Sequence, residues 1–238
     1  MTLNSNISRV FAIAALALAA TNFAGAAKAE EANFVKLMTA NFLPRDVAQV
    51  EIGAFRFLPG QIAPIHTHVA PAVGYVAKGS IVYQAEGGKP VVLREGDAFY
   101  EPAGPRILRF DNASATETAL FYDFSLEQTG EPFFVLEEQP RRPIDRSGLP
   151  TVDIGGKTID HVDVYETELE SGQTVTLENS DPTIFLVAQG VIDVQIDETT
   201  SQHLVTGETF AMPSSGSNAS LTNASSEVEA KVISYVLR

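Results

Sequence analysis

After Leu43 the chain is written in short segments of alternating apolar and polar residues, punctuated by Gly, Pro, Asn and Asp. Alternation sends successive side chains to opposite faces of an extended backbone, so each segment predicts a β-strand with one buried face. The candidate strands are Glu51–Leu58, Val73–Val76, Ile81–Gln84, Val91–Leu93, Ala98–Glu101, Ile107–Phe110 and Ala119–Phe124. No run keeps a helical period. Many short strands with regular turn signals predict an all-β sandwich or barrel. A less regular stretch, 131–160, holds Pro140-Arg141-Arg142-Pro143 and Ser147-Gly148-Leu149-Pro150 and predicts a connector; strand patterns then resume at Val162–Leu169 and run to Leu237.

The two stretches of strands repeat one another. Pro59-Gly60-Gln61 matches Ser171-Gly172-Gln173, and Val76-Ala77-Lys78-Gly79 matches Val187-Ala188-Gln189-Gly190. Gly96-Asp97-Ala98-Phe99 matches Gly207-Glu208-Thr209-Phe210, Pro102 matches Pro213, and Asn112-Ala113-Ser114 matches Asn223-Ala224-Ser225. The nearly constant offset predicts one architecture used twice. The glycines fall where tight turns need positive φ. The two Asn-Ala-Ser triplets also fit glycosylation sequons, but their place in the pattern favours turn chemistry.

The first residues follow a different pattern. Arg9 is the only charge before an apolar run from Val10 to Ala20, which is too short to span a bilayer. Small residues lead from there to Ala27-Lys28-Ala29, an A-x-A site that predicts cleavage before Glu30, with Ala24-Gly25-Ala26 as an alternative. Residues 1–29 therefore read as a secretory signal, and the mature protein is expected in the periplasm or secreted, with no membrane span. Four regions result: signal 1–29, N-terminal unit 30–130, connector 131–160 and C-terminal unit 161–238.

Charge and composition narrow the chemistry. The net charge is −14, and losing Arg9 and Lys28 with the signal makes it −16. Such a surface repels phosphate backbones and anionic lipid, which argues against nucleic-acid partners. There is no cysteine, so disulfides, thiolate metal sites and cysteine nucleophiles are excluded. No nucleophile elbow, phosphate loop, nucleotide fingerprint or H-E-x-x-H is present.

The remaining candidate chemistry lies in the first repeat. Gly60-Gln-Ile-Ala-Pro-Ile-His66-Thr-His68, followed by Gly79, resembles the first motif of the cupin superfamily, and Gly96-Asp-Ala-Phe-Tyr-Glu-Pro102-Ala-Gly104 resembles the second. The second repeat carries Gly207-Glu-Thr-Phe-Ala-Met-Pro213, with Gly216 one place late. The resemblance implies a bicupin: two antiparallel β-barrels of the double-stranded β-helix, or jelly-roll, type. It also implies one divalent metal ion held by three histidines and a glutamate.

His66 and His68 match the first two ligand positions, and alternation lets both reach one ion. Ala72 and Val73 stand where the glutamate is expected, and Ile107 stands where the last histidine is expected. Glu101 is the substitute carboxylate, as third ligand or as a base; Gln84 and Tyr75 are weaker candidates. His66, His68 and Glu101 would suit Fe, Mn or Zn. Arg109, predicted to share a face with Ile107, and Tyr75 are expected to contact the ligand, with Tyr83 and Tyr100 as further lining candidates and Arg106 close by. Glu178 and Ser180 replace the histidines in the second repeat, so that unit is expected to bind no metal. His161 and His203 lie outside the motif and read as surface or strand residues.

Two functions are therefore expected as alternatives. One is a metal-dependent enzyme acting on a small oxygenated ligand with dioxygenase, lyase or isomerase chemistry. The other is a metal-free cupin that binds a small molecule or serves as a structural or oligomerisation protein, with homo-oligomers formed through sheet edges.

Overall fold

The computed structural model describes residues 34–178, 180–196, 200–212 and 218–238. Residues 1–29, expected to be a signal, and the Pro213–Gly216 copy of the second motif lie outside the described residues. Among those described there is no helix, hence none long and apolar enough to cross a membrane. The first half contains β1 (Phe34–Phe57), β2 (His66–Thr67), β3 (Ala72–Lys78), β4 (Ser80–Ala85), β5 (Val91–Arg94), β6 (Ala98–Glu101), β7 (Arg106–Asn112), β8 (Ala119–Glu127), β9 (Val135–Leu136) and β10 (Asp145–Gly148). The second contains β11 (Val152–Leu169), β12 (Thr174–Glu178), β13 (Thr183–Gln189), β14 (Val191–Gln195), β15 (Ser201–Val205), β16 (Thr209–Met212), β17 (Asn218–Asn223) and β18 (Ala230–Leu237).

One sheet runs through both halves in the order β16-β13-β18-β11-β1-β8-β3-β6, with β10 also on β1. A five-stranded sheet, β5-β4-β7-β2-β9, faces it in the first half, and a four-stranded sheet, β12-β17-β14-β15, faces it in the second. The fold is thus all-β and antiparallel, with two jelly-roll units joined edge to edge at β1 and β11. β1 starts at Phe34, well before the Glu51 that alternation predicts. Register shifts at Lys36/Met38, Asn41/Arg45 and Val47/Gln49 explain the difference: each bulge breaks the two-residue period on which a sequence reading depends.

Three apolar clusters hold the molecule together. One fills the first unit (Phe55, Phe57, Phe99, Phe110, Phe121) and one the second (Phe185, Ile192, Phe210, Leu221). The third lies between the units, where Ile52, Val73, Tyr122 and Phe124 meet Val164, Leu186, Ile233 and Tyr235. Strands β8 and β18 are therefore buried on both faces, which is why they read as nearly unbroken apolar runs.

The repeat is reproduced in the hydrogen bonds. Asn112 Nδ2 donates to the carbonyls of Phe57, Leu58 and Glu117, while Asn223 Nδ2 donates to those of Leu169 and Val228. Their Oδ1 atoms accept from the amides of Ser114 and Ser225. Both asparagines are buried, so the two triplets serve as turn chemistry. The glycines after β3 and β13 also match: Gly79 has φ 78° and Gly190 φ 85°, and a Cβ at Gly190 would lie 2.9 Å from the Ala230 methyl.

The 131–160 stretch does more than connect. β9 adds to the edge of β2, β10 pairs with β1, and β11 begins within it at Val152. Arg106 clamps Glu137 through two bonds of 2.6 and 2.7 Å, pinning the end of β9 against β7.

Candidate metal centre

The centre is built where β2 crosses β7. His66 pairs with Ile107 and Thr67 with Arg106, and the extended backbone continues to His68, which bridges to Ala103. Residues two apart on an extended segment share a face, so both imidazoles enter the first unit. The ring Nδ1 of His66 lies 2.9 Å from the Pro64 carbonyl. A carbonyl only accepts, so Nδ1 carries the proton and Nε2 turns its lone pair inward.

Glu101 ends β6 and sits directly opposite Ala72 of β3. Cross-strand partners point to the same face. The carboxylate that the cupin resemblance leads one to expect at position 72 or 73 is thus supplied by the residue facing Ala72 on the next strand. Glu101 Oε1 lies 3.5 Å from His66 Nε2, and Oε2 lies 3.3 Å from His68 Nε2. All three side chains are buried, and their ligand atoms lie within 4.8 Å of one another.

These separations suit an ion. Two donors bonded at about 2.0–2.2 Å and spread by about 90–110° stand about 3.0–3.5 Å apart. His68 Nε2 and Glu101 Oε1 are buried with no hydrogen-bond partner among the described residues. Buried polar atoms are seldom left so unless an ion or water satisfies them. A two-histidine, one-carboxylate set with open positions fits iron, manganese or zinc.

The electrostatics of the metal-free site follow from crowding. Burial lowers the His68 pKa, but the adjacent Glu101 carboxylate, with Asp123 beyond it, raises it to about 9. Burial raises Glu101, and the imidazoles of His68 and His66 reverse that and bring it down to about 2. Asp123, buried on β8, is pushed up to about 7 by burial and then by the Glu101 charge, against the pull of His68 and His66. Without metal, then, the site is a buried imidazolium–carboxylate pair with a neighbouring acid that resists ionising.

A cavity of about 30 Å³ opens beside His66 and Glu101, walled by Phe55, Phe57, Phe110 and Phe121 of the unit and by Phe134, Leu136 and Ile144 of the 131–160 stretch. The ring of Phe133 packs 6.3 Å from that of His68, and the ring of Phe134 packs 6.0 Å from that of His66. The stretch after β8 therefore covers the centre.

Other sequence-predicted residues lie elsewhere. Tyr75 points to the opposite face of β3 from Ala72 and is buried in the core between the units. Arg109 is 45% exposed and bonds Asp111. Its expected alignment with Ile107 is broken by a register shift: Gln84 pairs with Arg109, but Ala85 pairs with Ile107, so the bulge turns Arg109 outward while Ile107 and Phe110 both point in. Tyr83 donates to the Tyr100 carbonyl, and Gln84 to that of Gly88. Neither lines the triad's cavity, although the Tyr83 ring packs 6.0 Å from that of Phe110, which does. His161 bonds Asp160, and His203 lies 2.7 Å from Asp193; both are on strands outside the site. The residues that sequence reasoning missed are Asp123, Phe133 and Phe134. An acid inside the apolar run Ala119–Phe124 was the available signal for Asp123.

Comparison with known proteins agrees with this architecture. Residues 53–124 match the family profile described as "Cupin domain". No curated protein sequence matches the chain. Among solved structures, salicylate 1,2-dioxygenase from Pseudaminobacter salicylatoxidans is similar over 80% of this chain and 71% of its own, at 14% identity and TM-score 0.55. AerE from Microcystis aeruginosa is similar over 86% and 97%, at 14% identity and TM-score 0.59. Vicilin from Corylus avellana is similar over 79% and 74%, at 13% identity and TM-score 0.60. At such identities the likeness is one of fold, and it extends over both units. Residues 53–124 thus match a cupin domain, and the second unit repeats the same jelly-roll fold.

Proposed function

We propose that this chain is an exported, metal-dependent cupin whose N-terminal unit holds one divalent ion, iron, manganese or zinc, through His66, His68 and Glu101 and acts on a small oxygenated ligand. The observation that carries the reading is the convergence of three buried donors at 3.3 and 3.5 Å, with His68 Nε2 and Glu101 Oε1 unpartnered among the described residues. A bound ion would supply a Lewis acid and, if iron, a place for dioxygen.

The chain's own residues have separable tasks. Pro64 holds the His66 ring in the ligating tautomer. Glu101 brings the negative charge that a dication needs in a buried site. The phenylalanines exclude water and favour a ligand with an apolar body. A cavity of about 30 Å³ has room for about two waters, so anything as large as an aromatic ring enters only if Phe134, Leu136 or Ile144 moves aside. Dioxygenase chemistry on such a ring is favoured by the fold shared with a salicylate dioxygenase and by the aromatic wall.

The second reading, a metal-free binding or oligomerisation protein, rests on Ile107, fully buried where the last histidine is expected. Metal analysis of protein purified without a histidine tag decides between them. About one ion per chain, lost in the His66→Ala, His68→Ala double variant and in Glu101→Ala, is the expected result. Absence of stoichiometric metal after loading with iron, manganese and zinc would sink the proposal and leave the second reading. Tracing the N-terminus of the exported protein tests the export segment: a mature chain starting at Glu30 is expected.

A further inference from the structure

Asp123 has no role in the reading above, yet its placement is unusual. It lies on β8 with a glycine opposite it on each side, Gly53 on β1 and Gly74 on β3. The space a Cβ would take at Gly74 is filled by the Phe99 ring, and that at Gly53 by the Phe55 ring and the Arg146 side chain. Asp123 is thus walled laterally by aromatic rings. By register it shares a face of the sheet with Glu101, and after burial itself the charges of Glu101, His68 and His66 act on it most.

One row along the same face, Glu101, Ala72 and Ser125 are register partners across β6, β3 and β8. Alanine at 72 leaves the sheet surface low between Glu101 on one side and Ser125 on the other, while the Phe99 ring covers Gly74 beside Asp123. Glu101 Oε1 and Asp123 Oδ1 are buried without a hydrogen-bond partner among the described residues, and Ser125 Oγ is buried with the Glu127 carboxylate beside it. A buried water typically makes about three hydrogen bonds to atoms of this kind.

The second unit serves as an internal control. There, Thr183 pairs with Met212 and Val236, and Phe185 pairs with Ser234, in the positions that Ala72, Glu101, Ser125, Gly74 and Asp123 occupy in the first. The unit that lacks the histidines and the glutamate also lacks the buried acid and the low surface, although the strands and registers are the same. Asp123 therefore goes with the centre and not with the fold.

We propose that Asp123 is a positioning residue of the metal centre: with Ser125 it anchors a buried water over Ala72, beside the Phe99 ring, and that water holds the Glu101 carboxylate in its ligating orientation. This rests on the metal reading of His66, His68 and Glu101. Hydrogen-bonding partners of ligating carboxylates commonly contribute 10–100-fold to metal affinity.

The test is Co(II) binding to the full mature chain, followed by competition titration and by the visible absorption of the bound ion. Asp123→Ala is expected to weaken Co(II) by about 10–100-fold and to alter the spectrum. Asp123→Asn, which keeps the shape and the hydrogen bonding, is expected to recover most of the affinity. Ser125→Ala, a small change compatible with folding, is expected to show a weaker effect in the same direction. If Asp123→Ala binds Co(II) within twofold of the wild type with the same spectrum, the positioning role is refuted while the metal site stands. Should Asp123→Ala fail to fold, an unaltered spectrum and affinity in Ser125→Ala refutes it. Wild-type protein that binds no Co(II) overturns both the site and this inference.

Discussion

Metal binding to this centre must displace the proton that His68 holds in the metal-free protein. The Glu101 carboxylate, 3.3 Å away in a buried setting, raises the His68 pKa to about 9. At pH 7 the imidazole is then about two pKa units on the protonated side, so protons weaken apparent affinity by about 100-fold, or about 2.7 kcal/mol, relative to pH above 9. From pH 9 down to 7 the logarithm of the apparent Co(II) affinity should fall by about one per pH unit. Calorimetry in buffers of different ionisation enthalpy should count about one proton released per ion at pH 7. Glu101→Gln removes the largest upward cause of the shift and leaves only Asp123 and a backbone hydrogen bond at Phe133 against burial, so the variant should bind more weakly and release less proton at pH 7. A wild type with flat affinity from pH 7 to 9 and no released proton would refute the reasoning. The same pair stabilises the metal-free fold within a defined window. The His68 contribution is complete below its unfolded pKa of 6.5 and is lost as pH rises through 9. The Glu101 contribution is complete above 4.5 and is lost as pH falls through 2. The pair therefore helps most between pH 4.5 and 6.5.

Three further outcomes are expected. Ionising Asp123 opposes folding, because its pKa rises from 3.8 to about 7 on burial; urea denaturation in chelator should show Asp123→Asn gaining on the wild type by up to about 4 kcal/mol between pH 4 and 8. Asn112→Ala removes donors to three backbone carbonyls and an acceptor for Ser114, and should cost about 2–3 kcal/mol by the same measurement, with Asn223→Ala behaving alike in the second unit. Phe133→Ala leaves a hole between His68 and Arg146, whose guanidinium lies 4.0 Å from the ring, and should cost about 3–5 kcal/mol while admitting more solvent to the centre, seen as faster loss of Co(II) to chelator.

How much of this was legible in the sequence depends on how local the information is. Alternation and turn residues are local, so the all-β fold, the repeat, the paired asparagines and the turn glycines could be read directly. His66 and His68 could be read because their spacing of two is itself the strand period. Glu101 was legible as a substitute because it ends a strand beside a recognisable motif. Arg109 was misplaced because a one-residue bulge inverts every side chain beyond it, and alternation carries no warning of a bulge.

What only the tertiary structure decided is pairing. That Glu101 faces Ala72, and so replaces a ligand missing from β3, follows from β6 lying beside β3. That Asp123 shares a face with Glu101 follows from β8 and β6 both pairing with β3. That Tyr75 is core and not lining follows from the packing of one unit against the other, which buries both faces of the shared sheet. The sequence by itself determined the strands and two of the donors. The third donor, the acid behind it and the aromatic cover are set by strand register and packing, which join residues distant along the chain and leave no periodic trace in it.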